Sequence, residues 1–381
     1  MNKKFGGIQK LCNFAPKTQT HDLMRYLLLA LSILSTLAVA RTRNATMSHS
    51  NAFVSADSAE IAENRQQGDM LLLYQRNTGG WPKNIDMEKP LDDDEREQVL
   101  ADKTKEDDST IDNNATTWQM QLLAKVYQKT GDQRYKDGFN RGLNFLLEGQ
   151  YPSGGWPQVW PKGKGYQKSI TYNDDAMVNV LVLLRGVSMS IGLFGGDLVD
   201  DEMRSRCDSA YQKGIECVLE TQIIVNGKPT IWSQQYDNET LLPTFARSYE
   251  LPAFCPRESA RIVQVLMEMN NPDDRVKAAV HGAVEWMESH KIEGYRYIKA
   301  SKDRTRHAEL VPDPEAEPIW ARYYDLQTEK PFVCDRDGIP HANLEDIGQE
   351  RRDGYLWYDM RPKRLLKQYN NWKAKYEPDV K

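Results

Sequence analysis

The chain has 381 residues, 40% hydrophobic and 28% charged, with 50 Lys plus Arg against 55 Asp plus Glu. This balance allows a large buried core and excludes a disordered, collagen-like or disulfide-dense scaffold. The net charge of −5 argues against general affinity for nucleic acid or anionic membrane, so an anionic partner must be met by a local basic groove.

The first element in chain order is the apolar run 26–40, YLLLALSILSTLAVA, preceded by Arg25 and ending in Ala38-Val39-Ala40. Its 15 residues fall short of the roughly 20 that span a bilayer. The small-x-small ending suits cleavage, so residues 1–40 are expected to be a signal peptide, with Met24 as an alternative start. Residues 41–381 are then expected to form a single domain, secreted or periplasmic, with no membrane contact after cleavage. Without residues 1–40 the charged counts fall to 45 basic and 54 acidic, a net of −9. Of the cysteines that remain, Cys207 and Cys217 fall in one predicted helix, about 15 Å apart by the helical rise. They cannot bridge, which leaves only pairings that use Cys255 or Cys334.

The string QRNTGGWP, 75–82, recurs as QYPSGGWP, 150–157, and a looser PTIW, 229–232, follows. Between and beyond them apolar residues recur at i, i+3 and i+4, predicting helices over 117–130, 134–148, 175–190, 201–221, 257–269 and 273–290. Gly131 and Asn271-Pro272 punctuate these helices as stop signals. A repeated helix pair is expected to stack on its neighbours as an all-α toroid, with its long loops gathered at one end to build a site. Trp81 and Trp156 then serve the repeat, each a large aromatic in a glycine turn plugging the next helix pair.

No HExxH, GxSxG or P-loop occurs, and the histidines follow no metal-ligand spacing, which argues against zinc hydrolysis, serine acyl transfer and nucleotide chemistry. Two acid and amide strings precede helices instead, TIDNNATT at 110–117 and ITYNDDAM at 170–177. Each reads as an N-cap or as a set of oxygen ligands for a hard cation such as Ca²⁺. A third segment, 232–250, carries Arg247 among few other cations, and a fourth, 332–338, sets Arg336 between Asp335 and Asp337. Lys162, Lys164 and Lys168, interleaved with Trp160 and Tyr166, form a basic loop, either solvated or lining a groove for an anionic ligand.

Six strings in order, GGWPKNIDM, TIDNNATTWQM, SGGWPQVWP, ITYNDDAMVNVL, IWSQQYDNETLLPTFARSYELP and RYYDLQTEKPFVCDRDG, resemble the family 10 polysaccharide lyases. These are pectate lyases with an (α/α)₃ barrel. The resemblance implies calcium-dependent β-elimination of α-1,4-polygalacturonate in a groove of inter-helix loops. It makes Arg247 the base at C5, Asp174 and Asp175 ligands of Ca²⁺, and Asp112 a further acid at the metal and the reaction. Arg336 would take a uronate carboxylate. Asp335, Trp156, Lys162, Lys164, Gln235 and Asp237 are expected along the substrate, and the protein is expected to act as a monomer. The string WSQQY at 232–236 departs from the family, where Trp-Cys-Ala-Gln-His or similar is usual. Two alternatives remain: an inverting glycoside hydrolase using the Asp112 and Asp174 pair, and a carbohydrate-binding repeat protein without catalysis.

Overall fold

The computed structural model describes residues 50–377, with side chains from residue 58 onward; the expected signal peptide lies outside the described residues. The chain divides into two units, 1–62 and 63–381, and the described part of the first is only the opening of helix α1 (Ser50–Tyr74). Nine further α-helices are described: α2 (Asp93–Asp102), α3 (Thr117–Thr130), α4 (Gln133–Glu148), α5 (Ala176–Ser188), α6 (Asp201–Glu220), α7 (Pro256–Met267), α8 (Asp274–Ser289), α9 (Gln349–Gly354) and α10 (Arg361–Tyr376). The strands among the described residues are two to four residues long, so the fold is helical with little sheet.

Local chemistry sets the helix ends. Gly131, at φ 65°, closes α3 by donating to Tyr127 O, and Asp132 then caps α4 by accepting from the Arg134 amide. Asp200 and Asp273 cap α6 and α8 in the same way, through the amides of Met203 and Val276. The predicted helices agree with the observed ones to within a few residues. Their apolar stripes pack α3 with α4, α5 with α6 and α7 with α8. In α4 the stripe is Tyr135, Phe139, Leu143 and Leu146, all fully buried.

The sequence repeat is a packing repeat. Four tryptophans, each no more than 1% exposed, donate their indole N–H to a carbonyl near the end of the preceding long helix. The pairs are Trp81 to Leu71 O (2.8 Å), Trp156 to Leu146 O, Trp232 to Val218 O and Trp320 to Met287 O (each 2.7 Å). In the first three repeats the glutamine that opens the repeat ties one helix to another. Gln75 donates to Gly138 O of α4 (2.9 Å), Gln150 to Ala210 O of α6 (2.8 Å) and Gln222 to Ala279 O of α8 (2.9 Å). Gly79 and Gly154 make the turns between Gln and Trp at φ 95° and 89°, and a Cβ there would stand 2.3 Å from Arg141 O and 2.1 Å from Lys213 O. Only glycine meets both constraints.

Trp156 is therefore a plug of the repeat and has no surface to offer a sugar. Trp156→Ala should cost about 3–5 kcal/mol of stability, the usual range for emptying a buried aromatic site. Denaturant unfolding measures it, and a change below about 1 kcal/mol would contradict this packing role. Cys207, Cys217, Cys255 and Cys334 are all buried free thiols, so the pairing through Cys255 or Cys334 is not made.

Candidate active site

The two acid and amide strings fold alike. Asp112–Asn114 and Asn173–Asp175 are each a single 3₁₀ turn whose last two residues have positive φ: 51° and 63° for Asn113 and Asn114, 49° and 64° for Asp174 and Asp175. Asn and Asp tolerate that region better than other residues with a Cβ, which accounts for the composition of both strings. The turns pack on one another, and the Asn179 amide donates to Asn114 Oδ1 at 2.8 Å. Neither string supplies a side-chain cap to the helix it precedes, so the N-cap reading falls away.

The three carboxylates of these turns differ in what holds them. Asp112 is buried; its Oδ2 meets Lys83 Nζ and the Gln158 amide (2.6 Å), and its Oδ1 accepts from the Asn113 amide (2.9 Å). Asp175 accepts twice from Arg361 Nη1, at 2.7 and 2.9 Å. Asp174 keeps more freedom, with its side chain 39% exposed, Oδ2 accepting from Asn173 Nδ2 (3.0 Å) and Oδ1 3.6 Å from Arg322 Nη2. Among the described residues no three His, Cys, Asp or Glu side chains are grouped to hold a metal. The donor chemistry fits a hard cation seated on the partly open Asp174, with ligand or water oxygens completing its shell, better than a closed protein cage.

Arg322 lies beside Asp174 and is almost wholly buried. Its Nη2 donates to Asn173 Oδ1 and pairs with Glu258 Oε1, each at 2.9 Å. With the Gln234 amide oriented to satisfy both its ends, its oxygen accepts from Arg322 Nε (3.0 Å) and its nitrogen donates to the Tyr323 hydroxyl (2.8 Å). Burial opposes both charges of the pair. On Arg322, Glu258, Tyr355, Tyr323 and Asp174 outweigh that burial and keep the guanidinium charged; on Glu258 burial prevails and pushes the carboxyl up. Removing Arg322 would leave Glu258 buried without its counter-charge, so Arg322→Ala should destabilise the fold by about 3–5 kcal/mol. Thermal or denaturant unfolding checks it, and unchanged stability would contradict the pairing.

Arg247 is held by Glu250, its Nη2 on one carboxylate oxygen and its Nε on the other at 2.7 Å. The Tyr355 hydroxyl donates to the same carboxylate at 2.9 Å and lies 2.6 Å from the Tyr323 hydroxyl, so hydrogen bonds link Arg247 to the Arg322 side of the site. Glu250 raises the Arg247 pKa well above the usual guanidinium value. Burial works against the Glu250 carboxylate, and Arg247 overrides it, holding its pKa down. Arg247 also lies over the Tyr249 ring (4.8 Å), as does Arg351 (4.4 Å), while Arg322 lies over Tyr355 (5.0 Å). The exposed Arg336 stands 5.8 Å from Tyr249, and its bonds to Glu350 hold that carboxyl down to about 2. Four arginines thus meet around two tyrosine rings, paired with Glu250, Glu258 and Glu350, and guanidinium groups that can trade such partners for the carboxylates of an anionic chain are the binding chemistry of the site.

Other expected substrate residues stand elsewhere or are otherwise engaged. Lys162 pairs with Glu106, and Lys164 with Asp107 at 3.0 Å. Gln235 is buried in a two-residue strand opposite Thr171. Asp237 holds a turn by accepting from the Thr240 amide and hydroxyl, and Asp335 accepts from the amides of Arg336 and Gly348. Arg322, Glu250, Glu258, Tyr355 and Arg351 were not expected at the site. Arg322 had a signal, since it opens the RYYDLQTEK string. The exposed Phe245, two residues before Arg247, is an apolar face where Trp156 is not.

Residues 75–366 match the family model of the pectic acid lyases. Among the solved structures that align with the chain are two of a family 10 polysaccharide lyase from Cellvibrio cellulosa. A mutant of that enzyme in complex with trigalacturonic acid is 30% identical, with a TM-score of 0.72, covering 84% of this chain and 97% of that one. The second structure of the enzyme is also 30% identical at a TM-score of 0.72, covering 83% and 95%. None of the curated proteins matches. The chain belongs to the pectic acid lyase family. It is a polysaccharide lyase.

Proposed function

We propose that the chain is a secreted or periplasmic pectate lyase that cleaves α-1,4-linked polygalacturonate as a monomer by calcium-dependent β-elimination. The observation that carries this reading is the cluster of Arg247, Arg322, Arg336 and Arg351 around Tyr249 and Tyr355, next to the Asp174 turn. An anionic sugar chain is the ligand such a surface suits, and the Cellvibrio cellulosa enzyme binds trigalacturonic acid. The paired helices and their Gln and Trp links support an (α/α)₃ toroid as the scaffold. Among the described residues no helix is long and apolar enough to cross a membrane.

In this reading Arg247 takes the C5 proton, the C5–H electron pair becomes the C4=C5 double bond, and the C4–O4 bond breaks, with O4 protonated as it leaves. A calcium ion on the uronate carboxylate would supply Lewis-acid withdrawal of the charge that develops at C5. Asp174 is the residue offered to hold it. Asp112, fixed by Lys83 and Gln158, sets the adjoining turn; Asp175, bonded twice to Arg361, sets the conformation of its own. Arg336 can exchange Glu350 for a uronate carboxylate in a two-point pair. Arg336→Ala should therefore raise KM by about tenfold or more, the scale of a charge-assisted hydrogen bond, with less change in kcat. Initial-rate kinetics on polygalacturonate decide it, and an unchanged KM removes Arg336 from substrate binding.

A further inference from the structure

Beyond the Asp174 turn lies a cleft of about 710 Å³ between the Tyr295–Ile298 strand, the residues before Trp320 and the start of α10. A smaller hollow of about 340 Å³ adjoins it, sharing Arg361 and Arg364 and reaching Asp175. Arg361, bonded to Asp175, thus joins the wall of the cleft to the turn that carries Asp174.

The charges of this wall do not cancel. Its acids Asp175, Asp359 and Glu317 are each paired, with Arg361, Arg257 and Lys363. Arg296 is paired with Asp313. The exposed Lys299 and Arg364 line the cleft with no ion pair among the described residues, against Glu315 alone on the acidic side. Among the described residues, Arg261 in the adjoining hollow bonds the neutral Gln264 and makes no ion pair. Tyr297 and Tyr358, with rings 5.3 Å apart, and the half-exposed Met360 add an apolar wall. An apolar face beside unspent cations is suited to a sugar ring that carries a carboxylate.

We propose that this cleft is a distal uronate subsite, which continues the substrate groove past Asp175 and binds a carboxylate of the polygalacturonate chain through Lys299 and Arg364. The inference rests on the polygalacturonate reading above. It adds a preference for long chains, since only a chain long enough to occupy both the Arg247 site and the cleft gains the second set of contacts.

The test compares the double variant Lys299→Glu, Arg364→Glu with the unaltered protein on polygalacturonate and on trigalacturonate. KM on the polymer should rise roughly fivefold or more, as expected for losing two ion pairs and gaining repulsion. Kinetics on the trimer and the thermal unfolding midpoint should not move. Equal KM on the polymer, or the same change on both substrates, overturns the subsite. If the unaltered protein makes no unsaturated product from either substrate, the lyase reading itself has failed. Direct titration with polygalacturonate then still decides the cleft: weaker binding by the variant supports it, and equal binding rejects it.

Discussion

Arg247→Ala should lower turnover on polygalacturonate by about 10²–10⁴-fold, the loss typical when a general base is removed. A loss below about tenfold would remove Arg247 from that role. Arginine is an unusual base because guanidinium is ordinarily protonated, and here Glu250 strengthens the charge instead of relieving it. Only the neutral form accepts the C5 proton, and with its pKa raised that form is scarce at every accessible pH. Activity should therefore climb with pH, close to tenfold per unit, without a plateau before the protein unfolds. Glu250→Gln removes the main cause of the raised pKa, so its rate should level off toward a plateau at a lower pH than that of the unaltered protein. A flat or acidic profile would contradict the assignment. Loss of activity in Glu250→Gln with no shift in profile would give Glu250 a positioning role alone.

The second large effect falls on Asp174. Asp174→Ala, or chelation with EDTA, should abolish measurable elimination. Asp174→Asn, which keeps an oxygen but loses the charge, should raise the calcium needed for half-maximal rate by at least about tenfold, a scale reached even by residues that only support metal ligands. The same substitution at Asp175 should act differently, because it weakens the bonds to Arg361. Its damage should appear as lost stability or turn geometry, with little change in calcium requirement. Titration of activity against free Ca²⁺ separates the two residues. Equal shifts in calcium requirement for both would make Asp175 a ligand as well, and no shift for Asp174→Asn would remove it from the metal.

What was legible in the sequence follows from how each signal arises. The helices could be read because their apolar stripes and capping residues lie within one or two turns of each other, as at Gly131 and Asp132. The repeat was legible too, since Gln, Gly-Gly and Trp must recur wherever the same carbonyls are to be bonded. The function of its tryptophans was harder to read. A Trp in a glycine turn looks alike whether it plugs a core or faces a sugar, and only burial separates the cases. The two acid and amide strings stood out, but a local string cannot show whether a carboxylate is free. Asp112 and Asp174 differ through Lys83, Gln158 and Arg322, which come from distant segments. Nothing local marks the role of Arg322, because its partners Asn173 and Glu258 lie 149 and 64 residues away. Lys162 and Lys164 looked like a basic groove because their acidic partners at 106 and 107 belong to another loop.

The proposed function stands on calcium-dependent elimination at the Arg247 and Asp174 site. Its most direct test follows ultraviolet absorbance of residues 41–381 acting on polygalacturonate at alkaline pH, with added Ca²⁺ and separately with EDTA. A rise from the conjugated C4=C5 uronate that chelation abolishes is the expected result. Reducing ends formed without that absorbance would mean hydrolysis and would contradict it.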